Sequence, residues 1–178
     1  MYTYHPVVDI LVERFKTSPE SLEPLHEQLL AYRENTEGLK EALLKHKVTS
    51  EAEFQQALAV YYELEYRDNF NDVPVVREFT EFIPIRYAKK NIFFPLKKTR
   101  NTLEVAITNP ELSQPLDDLA RHFKCHIQSV ISHKQAVLDL INRAYDESSA
   151  STEDAVDLLD SEETYENILA VEEPEDLL

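Results

Sequence analysis

The chain has 178 residues, 43% of them hydrophobic, and its single glycine is Gly38. At the usual glycine frequency, about twelve would be expected in a chain of this length. Phosphate-binding loops, the nucleophile elbow of α/β-hydrolases and the kinase glycine-rich loop each need two or more glycines, because their backbones approach an anion closely or adopt positive φ. The composition therefore excludes a complete nucleotide-hydrolysing enzyme, and we predict a non-enzymatic chain without catalytic residues or a cofactor.

The net charge of −16 is concentrated at the carboxyl end. Residues 146–178 contain 13 of the 34 acidic residues and no Lys or Arg, so residues 1–145 hold 21 acidic against 18 basic residues. A near-neutral body with an acidic tail repels nucleic acid and anionic lipid.

The sequence has no apolar run long enough to span a membrane and no signal peptide pattern, and its lone Cys125 cannot form an internal disulfide. We therefore expect a cytoplasmic protein with no nucleic-acid partner and no direct membrane insertion.

Four helices are predicted in residues 1–66. Their start signals are His5-Pro6, Ser18-Pro19-Glu20, a capping Thr36, and the capping box formed by Ser50 and Glu53. Apolar residues follow each signal at spacings of three and four, as on the buried side of an amphipathic helix. These residues are predicted to form a helical docking subdomain.

A small α/β subdomain is predicted for residues 67–145. Two apolar strands at 92–96 and 103–107 are expected to form a hairpin, and residues 126–131 a third strand. Helices are predicted at 84–90, 115–123 and 133–145. The predicted fold class is α+β: an amino-terminal helical array, then a small α/β sandwich with a three-stranded sheet, then an acidic linker over residues 146–178.

The acidic tail carries two apolar clusters, one around Val156, Leu158 and Leu159 and one around Tyr165, Ile168 and Leu169. This pattern suits short helices that dock on a groove, but a solvated linker is the favoured interpretation. A basic cluster in the body is interpreted as a solvated face, with an anionic ligand, an acidic partner or the chain's own tail as alternatives. It comprises Arg86, Lys89, Lys90, Lys97, Lys98 and Arg100.

The densest group of metal-ligating residue types is His122-x-x-Cys125-His126, with His133 as a fourth candidate. A structural zinc site needs four converging ligands. Because the three residues straddle a helix end and a strand, their side chains are expected to diverge. Neither a metal site nor a cysteine nucleophile is predicted. Tyr61, Tyr62, Tyr66 and Phe70 form an aromatic stripe that is interpreted as core.

A specific family pattern runs through residues 39–145. Residues 39–58, Ile83-Pro84, Phe94-Pro95-Leu96, and residues 103–110 and 141–145 occur in the order typical of one domain. Together they resemble the amino-terminal domain of the GspE/PilB secretion ATPases, the cytoplasmic motors of type II secretion and type IV pilus assembly. The resemblance implies that the chain is the front part of a longer ATPase, with the ATPase core in cis. A free-standing interaction protein is the alternative.

The resemblance implies two functions. In the secretion branch the domain docks the motor onto the cytoplasmic part of an inner-membrane assembly protein, GspL. In the MshE-type branch it binds cyclic di-GMP through Arg-Leu-Gly, spaced apolar residues and a Gln. This sequence has Gly38-Leu39-Lys40 and Tyr61 at those positions. Loss of the arginine and glycine removes forked, charge-assisted contacts, so docking is favoured over ligand binding.

The docking surface is predicted on the helices before residue 36. Their apolar residues occupy more positions than one buried stripe requires, and deletion of residues 1–35 is expected to abolish binding while leaving the rest folded. The predicted partner is a GspL-like cytoplasmic domain, which would place the chain at the periphery of the inner membrane. The predicted partner-binding residues are Val8, Leu11, Val12, Leu22, Leu25 and Leu29.

Overall fold

The computed structural model describes residues 4–150, and its first part is helical. The elements are α1 (Pro6–Phe15), α2 (Pro19–Leu22), a 3₁₀ turn (Glu23–Leu25), α3 (His26–Ala31), α4 (Thr36–Lys45) and α5 (Glu51–Tyr61). The capping box at the start of α5 is confirmed, because Ser50 Oγ accepts from Glu53 N and Ser50 N donates to the Glu53 carboxylate. Helix α4 is capped one residue earlier than predicted. The side chain of Asn35, and not that of Thr36, caps the helix: Asn35 Oδ1 accepts a hydrogen bond from the backbone N–H of Gly38.

The second part alternates helices and strands. The elements are β1 (Glu65–Tyr66), α6 (Arg77–Phe82), α7 (Ile85–Asn91), β2 (Phe93–Lys98), β3 (Thr102–Ile107), α8 (Gln114–Phe123), β4 (His126–Ile131) and α9 (134–150). The predicted hairpin, third strand and helices are all present. Helix α6 was missed because it has only six residues, too few for a helical period to stand out.

The described sheet has four strands in the order β1-β4-β3-β2, one more than predicted. β2 and β3 pair as an antiparallel hairpin, whereas β1 and β3 both run parallel to β4. The unpredicted strand β1 has two residues, too short to show alternation of apolar and polar side chains. It pairs through Glu65 with Val130 and through Tyr66 with Ile131.

One buried cluster joins the two parts of the chain. Val7, Leu29 and Phe54 from the helices and Phe93 and Val130 from the sheet are all fully buried members of it. The predicted boundary near residue 66 therefore falls within a shared core, and β1 carries the chain directly from the helical part into the sheet.

Helix α9 extends past the predicted start of the acidic linker at residue 146. Arg143 and Glu147 form an ion pair one turn apart at 3.8 Å, and Thr80 Oγ1 donates to Ser148 Oγ at 3.0 Å. The ion pair lies within α9, and the Thr80–Ser148 hydrogen bond holds the last described turn of α9 against α6. Residues 151–178, with both apolar clusters of the tail, lie outside the described residues.

Candidate functional site

The apolar residues predicted to bind a partner lie mostly in the core. Between 0 and 5% of the residue surface is exposed for five of them: Val8, Leu11, Leu22, Leu25 and Leu29. Val12 is half-buried. An amphipathic helix turns its apolar side to the core of its own domain. These residues pack α1 to α3 on the body, and the surface that these helices expose is their opposite side.

That opposite side is acidic. Asp9, Glu13, Glu20, Glu23 and Glu27 are all exposed, and none of them forms an ion pair with a cation of residues 4–150. Between residues 4 and 31 the basic residues are Arg14 and Lys16. Leu30 adds an apolar side chain that is 36% exposed. The outer side of α1 to α3 is thus an acidic surface with one exposed leucine, and we call it the acidic face.

The start of α1 is fixed by His5. Its Nδ1 accepts from Val7 N at 3.2 Å, and its ring lies edge-on to the ring of Tyr61 at 5.1 Å. Burial lowers the pKa of His5, while the negative charge of Glu111 acts in the opposite direction. The imidazole therefore favours its neutral form, in which it can accept the capping hydrogen bond.

Glu111 connects the helical part with the loop after β3. Thr36 Oγ1 donates to its carboxylate at 3.4 Å and Tyr62 Oη at 3.2 Å. Burial and the nearby negative charge of Glu111 both raise the pKa of Tyr62, so the phenol keeps the proton that it donates.

Gly38 serves packing and not a phosphate loop. It lies in the first turn of α4, and a Cβ placed on it would be 2.5 Å from a ring carbon of Tyr32. No real side-chain carbon tolerates such a contact without movement. The glycine thus lets the aromatic ring lie against the helix backbone.

The remaining positions aligned with the cyclic di-GMP motif are occupied by other contacts. Lys40 Nζ lies 3.4 Å from Glu51 Oε1, and the lysine side chain is only 14% exposed. Glu51 also accepts from the backbone N–H of Lys134 at 3.1 Å. Tyr61 lies between His5 and Tyr62, with its ring 4.9 Å from that of Tyr62. Lys40 is therefore already neutralised, and Tyr61, although 40% exposed, packs against His5 at the start of α1.

Gln55 joins the helical part to the sheet, a role that was not predicted from the sequence. Its side chain is fully buried, and Nε2 donates to Thr108 O at 2.9 Å and to Ser132 O at 2.8 Å. These carbonyls follow the ends of β3 and β4. The sequence carries one signal for this role. Gln55 is a polar residue next to Phe54, on a helix whose apolar side is predicted to be buried.

The group around Cys125 does not form a metal site. The His122 ring stacks on Phe82 with centroids 3.5 Å apart, Cys125 is buried and donates to Phe123 O, and His126 is exposed on β4. In the described part of the chain, no group of three His, Cys, Asp or Glu side chains is placed to hold a metal ion.

The predicted basic cluster is exposed. Its six cations lie in residues 82–103, a stretch that contains no Asp or Glu. Within residues 4–150, Lys98 is the one member with an ion pair, at 3.2 Å from Glu78. Residues 82–103 therefore form an exposed basic stretch in the second part of the chain.

Two grooves flank α6. One, of about 390 Å³, lies between α6, α7 and α8 and is lined by Phe82, Pro84, Tyr87 and Leu119, with Arg121 at its wall. The other, of about 780 Å³, lies between the loop before α6 and strand β2.

Among the described helices, none has the length and apolarity needed to cross a membrane.

Comparison with known proteins places this arrangement in a family. The family model for the MshEN domain matches residues 62–151, about half of the chain, and the chain belongs to this family. No curated protein matches the sequence. The resemblance to the amino-terminal domain of the GspE/PilB secretion ATPases is thereby confirmed.

Two solved structures have a similar fold. "Structure of MshE with cdg" is 21% identical with a TM-score of 0.60, and the match covers 78% of this chain and 98% of that one. The amino-terminal domain of XpsE is 20% identical with a TM-score of 0.56, and the match covers 80% of this chain and 98% of that one. The second of these structures is of an amino-terminal domain.

Proposed function

We propose that this chain is a docking domain of a type II secretion or type IV pilus assembly ATPase, and that its acidic face binds the cytoplasmic domain of a GspL-like inner-membrane assembly protein. The parent ATPase core would act in cis, in the cytoplasm, and this contact would hold it at the inner membrane. The observation that carries the proposal is the acidic face itself, whose carboxylates have no cation partner in residues 4–150.

The expected partner surface is basic with an apolar pocket. Unpaired carboxylates steer a cationic partner and fix its orientation, while an exposed leucine can act as an anchor. A specific interface buries about 800 Å² on each partner, an area that three short neighbouring helices can supply.

Charge reversal on the acidic face tests the proposal. The variant Glu20→Lys/Glu23→Lys/Glu27→Lys should bind an immobilised GspL-like cytoplasmic domain at least tenfold more weakly than the unchanged chain. The matched control Glu37→Lys/Glu41→Lys/Asp117→Lys alters the net charge equally at exposed residues elsewhere and should bind within twofold. Equal weakening by both variants, or by neither, would refute the acidic face as the docking surface.

These substitutions replace the deletion of residues 1–35 as the test. Val7, Leu11 and Leu29 are fully buried in the shared core, so the deletion would expose apolar surface and unfold part of the body. Loss of binding by such a truncated chain would not separate docking from folding. Circular dichroism should show the native helix content for both charge-reversed chains.

Regulation by cyclic di-GMP is the second candidate, favoured by the fold match to MshE with cdg. The contacts of Gly38, Lys40 and Tyr61 within this chain count against it.

A further inference from the structure

We infer that the groove between α6, α7 and α8 binds the chain's own acidic tail, residues 151–178. This contact within one chain goes beyond the proposed docking function, since it needs no second protein. Three independent observations on the described residues lead to it: the apolar lining of the groove, the surrounding charge, and the place where α9 delivers the chain.

The groove presents unusually exposed apolar surface. Phe82 is 36% exposed although it is a large aromatic residue, and it stacks on His122 at the groove wall. Pro84, Tyr87 and Leu119 continue the apolar lining. The volume of about 390 Å³ is enough for two or three apolar side chains of a docked segment. The tail offers two clusters of that size, at Val156 to Leu159 and at Tyr165 to Leu169.

The acid and the base that line the groove, Asp118 and Arg121, form an ion pair at 3.8 Å, and the cations that complement the tail lie beside the groove on α7. Helix α7, which supplies Tyr87 to the groove, also carries Arg86, Lys89 and Lys90 and has no carboxylate. These three cations are exposed and form no ion pair with any residue of 4–150. The tail has 11 acidic residues and no Lys or Arg over residues 151–178. An apolar groove beside unpaired cations is suited to a segment that alternates acidic and apolar residues.

The last described turn of α9 lies close to the groove. Ser148 on α9 lies 3.0 Å from Thr80, which is two residues before Phe82 on α6. Tyr145 donates a hydrogen bond to Ile83 O, so α9 runs along the α6–α7 corner that forms one side of the groove. From residue 150 to Val156, six residues span at most about 20 Å when extended. The first apolar cluster is thus within reach of the groove, and a short tether favours a contact within one chain over one between chains.

Photo-crosslinking of the full 178-residue chain tests the inference. Phe82 is replaced by the photoreactive residue p-benzoylphenylalanine, and the cross-linked peptides are identified by mass spectrometry. We expect cross-links from position 82 to residues 151–178 within single chains, with a yield that does not change on tenfold dilution. The matched control places the same residue at Leu30, which is also 36% exposed but lies on α3. It should give no cross-link to the tail.

Two outcomes would overturn the inference. Cross-links from position 82 that join two chains would assign the groove to a second copy, and an absence of tail peptides would leave the groove to another occupant.

A charge-reversed chain, Lys89→Glu/Lys90→Glu, gives a second readout, because both side chains are exposed and should tolerate substitution. The tail cross-link should fall at least threefold, and 1 M salt should have a similar effect since it shortens the screening length to about 3 Å. An unchanged yield under both conditions would contradict the role given to the cations.

Discussion

Gly38 lies where a side chain would collide with the ring of Tyr32. Its replacement by Ala sets two effects against each other. Alanine favours the helix over glycine by roughly 0.5–1 kcal/mol, whereas overpacking against an aromatic ring costs about 1–3 kcal/mol. We expect Gly38→Ala to lower the free energy of unfolding by about 1 kcal/mol.

The sign should reverse once the ring is removed. In the Tyr32→Ala background, the further change Gly38→Ala should raise the free energy of unfolding, measured by urea titration. A loss of stability in both backgrounds would show that the ring is not what requires the glycine.

His5 makes stability depend on pH. Burial lowers its pKa in the folded state below the unfolded value of about 6.5, so the unfolded chain binds the proton more readily. The stabilising contribution is present above pH 6.5 and is lost as the pH falls below that value towards the folded-state pKa. His5→Asn keeps a capping side chain without the titration, so it should lose less stability than the unchanged chain between pH 7.5 and pH 5.

Urea unfolding at the two pH values measures this difference. The variant His46→Asn is a suitable control because His46 is exposed, and it should follow the unchanged chain. If His5→Asn and the unchanged chain lose the same stability, the histidine does not couple α1 to pH.

At the scale of elements, Gln55 connects α5 with the ends of β3 and β4. Gln55→Ala removes two buried hydrogen bonds and leaves the carbonyls of Thr108 and Ser132 without this donor. Unsatisfied buried groups cost about 1–3 kcal/mol each, so we expect a loss of about 2–4 kcal/mol in the free energy of unfolding. Gln28→Ala, at an exposed residue of α3, should stay within about 0.5 kcal/mol of the unchanged chain. Similar losses for the two variants would contradict the bridging role.

The longer elements could be predicted from sequence because each carries its own signal. Ser50 and Glu53 specify the start of α5, and the strand over His126–Ile131 was predicted with its observed bounds. The two-residue strand β1 has no period of its own and exists only because β4 pairs with it. The acidic face could not be recognised from sequence. The number of apolar residues in α1 to α3 does not show which of them the rest of the domain covers. That requires the tertiary packing of Leu11, Leu25 and Leu29.

At the scale of the whole molecule, the chain should not bind cyclic di-GMP or ATP tightly. The lysine at the aligned position is paired with Glu51, and the single glycine is covered by Tyr32. Calorimetric titration of the full chain should give dissociation constants weaker than about 100 µM, equivalent to about −5.5 kcal/mol. MshE, titrated with cyclic di-GMP in the same buffer, is the positive control. Micromolar binding of cyclic di-GMP to this chain would favour ligand regulation over docking.

The bridge made by Gln55 also constrains how the protein folds as it is synthesised. Its two carbonyl partners lie 53 and 77 residues later in the chain. At ribosomal rates of roughly 5–20 residues per second, Ser132 is made about 4–15 s after Gln55. During that interval the side of α5 that contacts β4 has no sheet to pack against, so the nascent helix presents an uncovered apolar side. A chaperone that acts on ribosome-bound chains should therefore bind this protein most strongly before β4 has emerged, and release it afterwards.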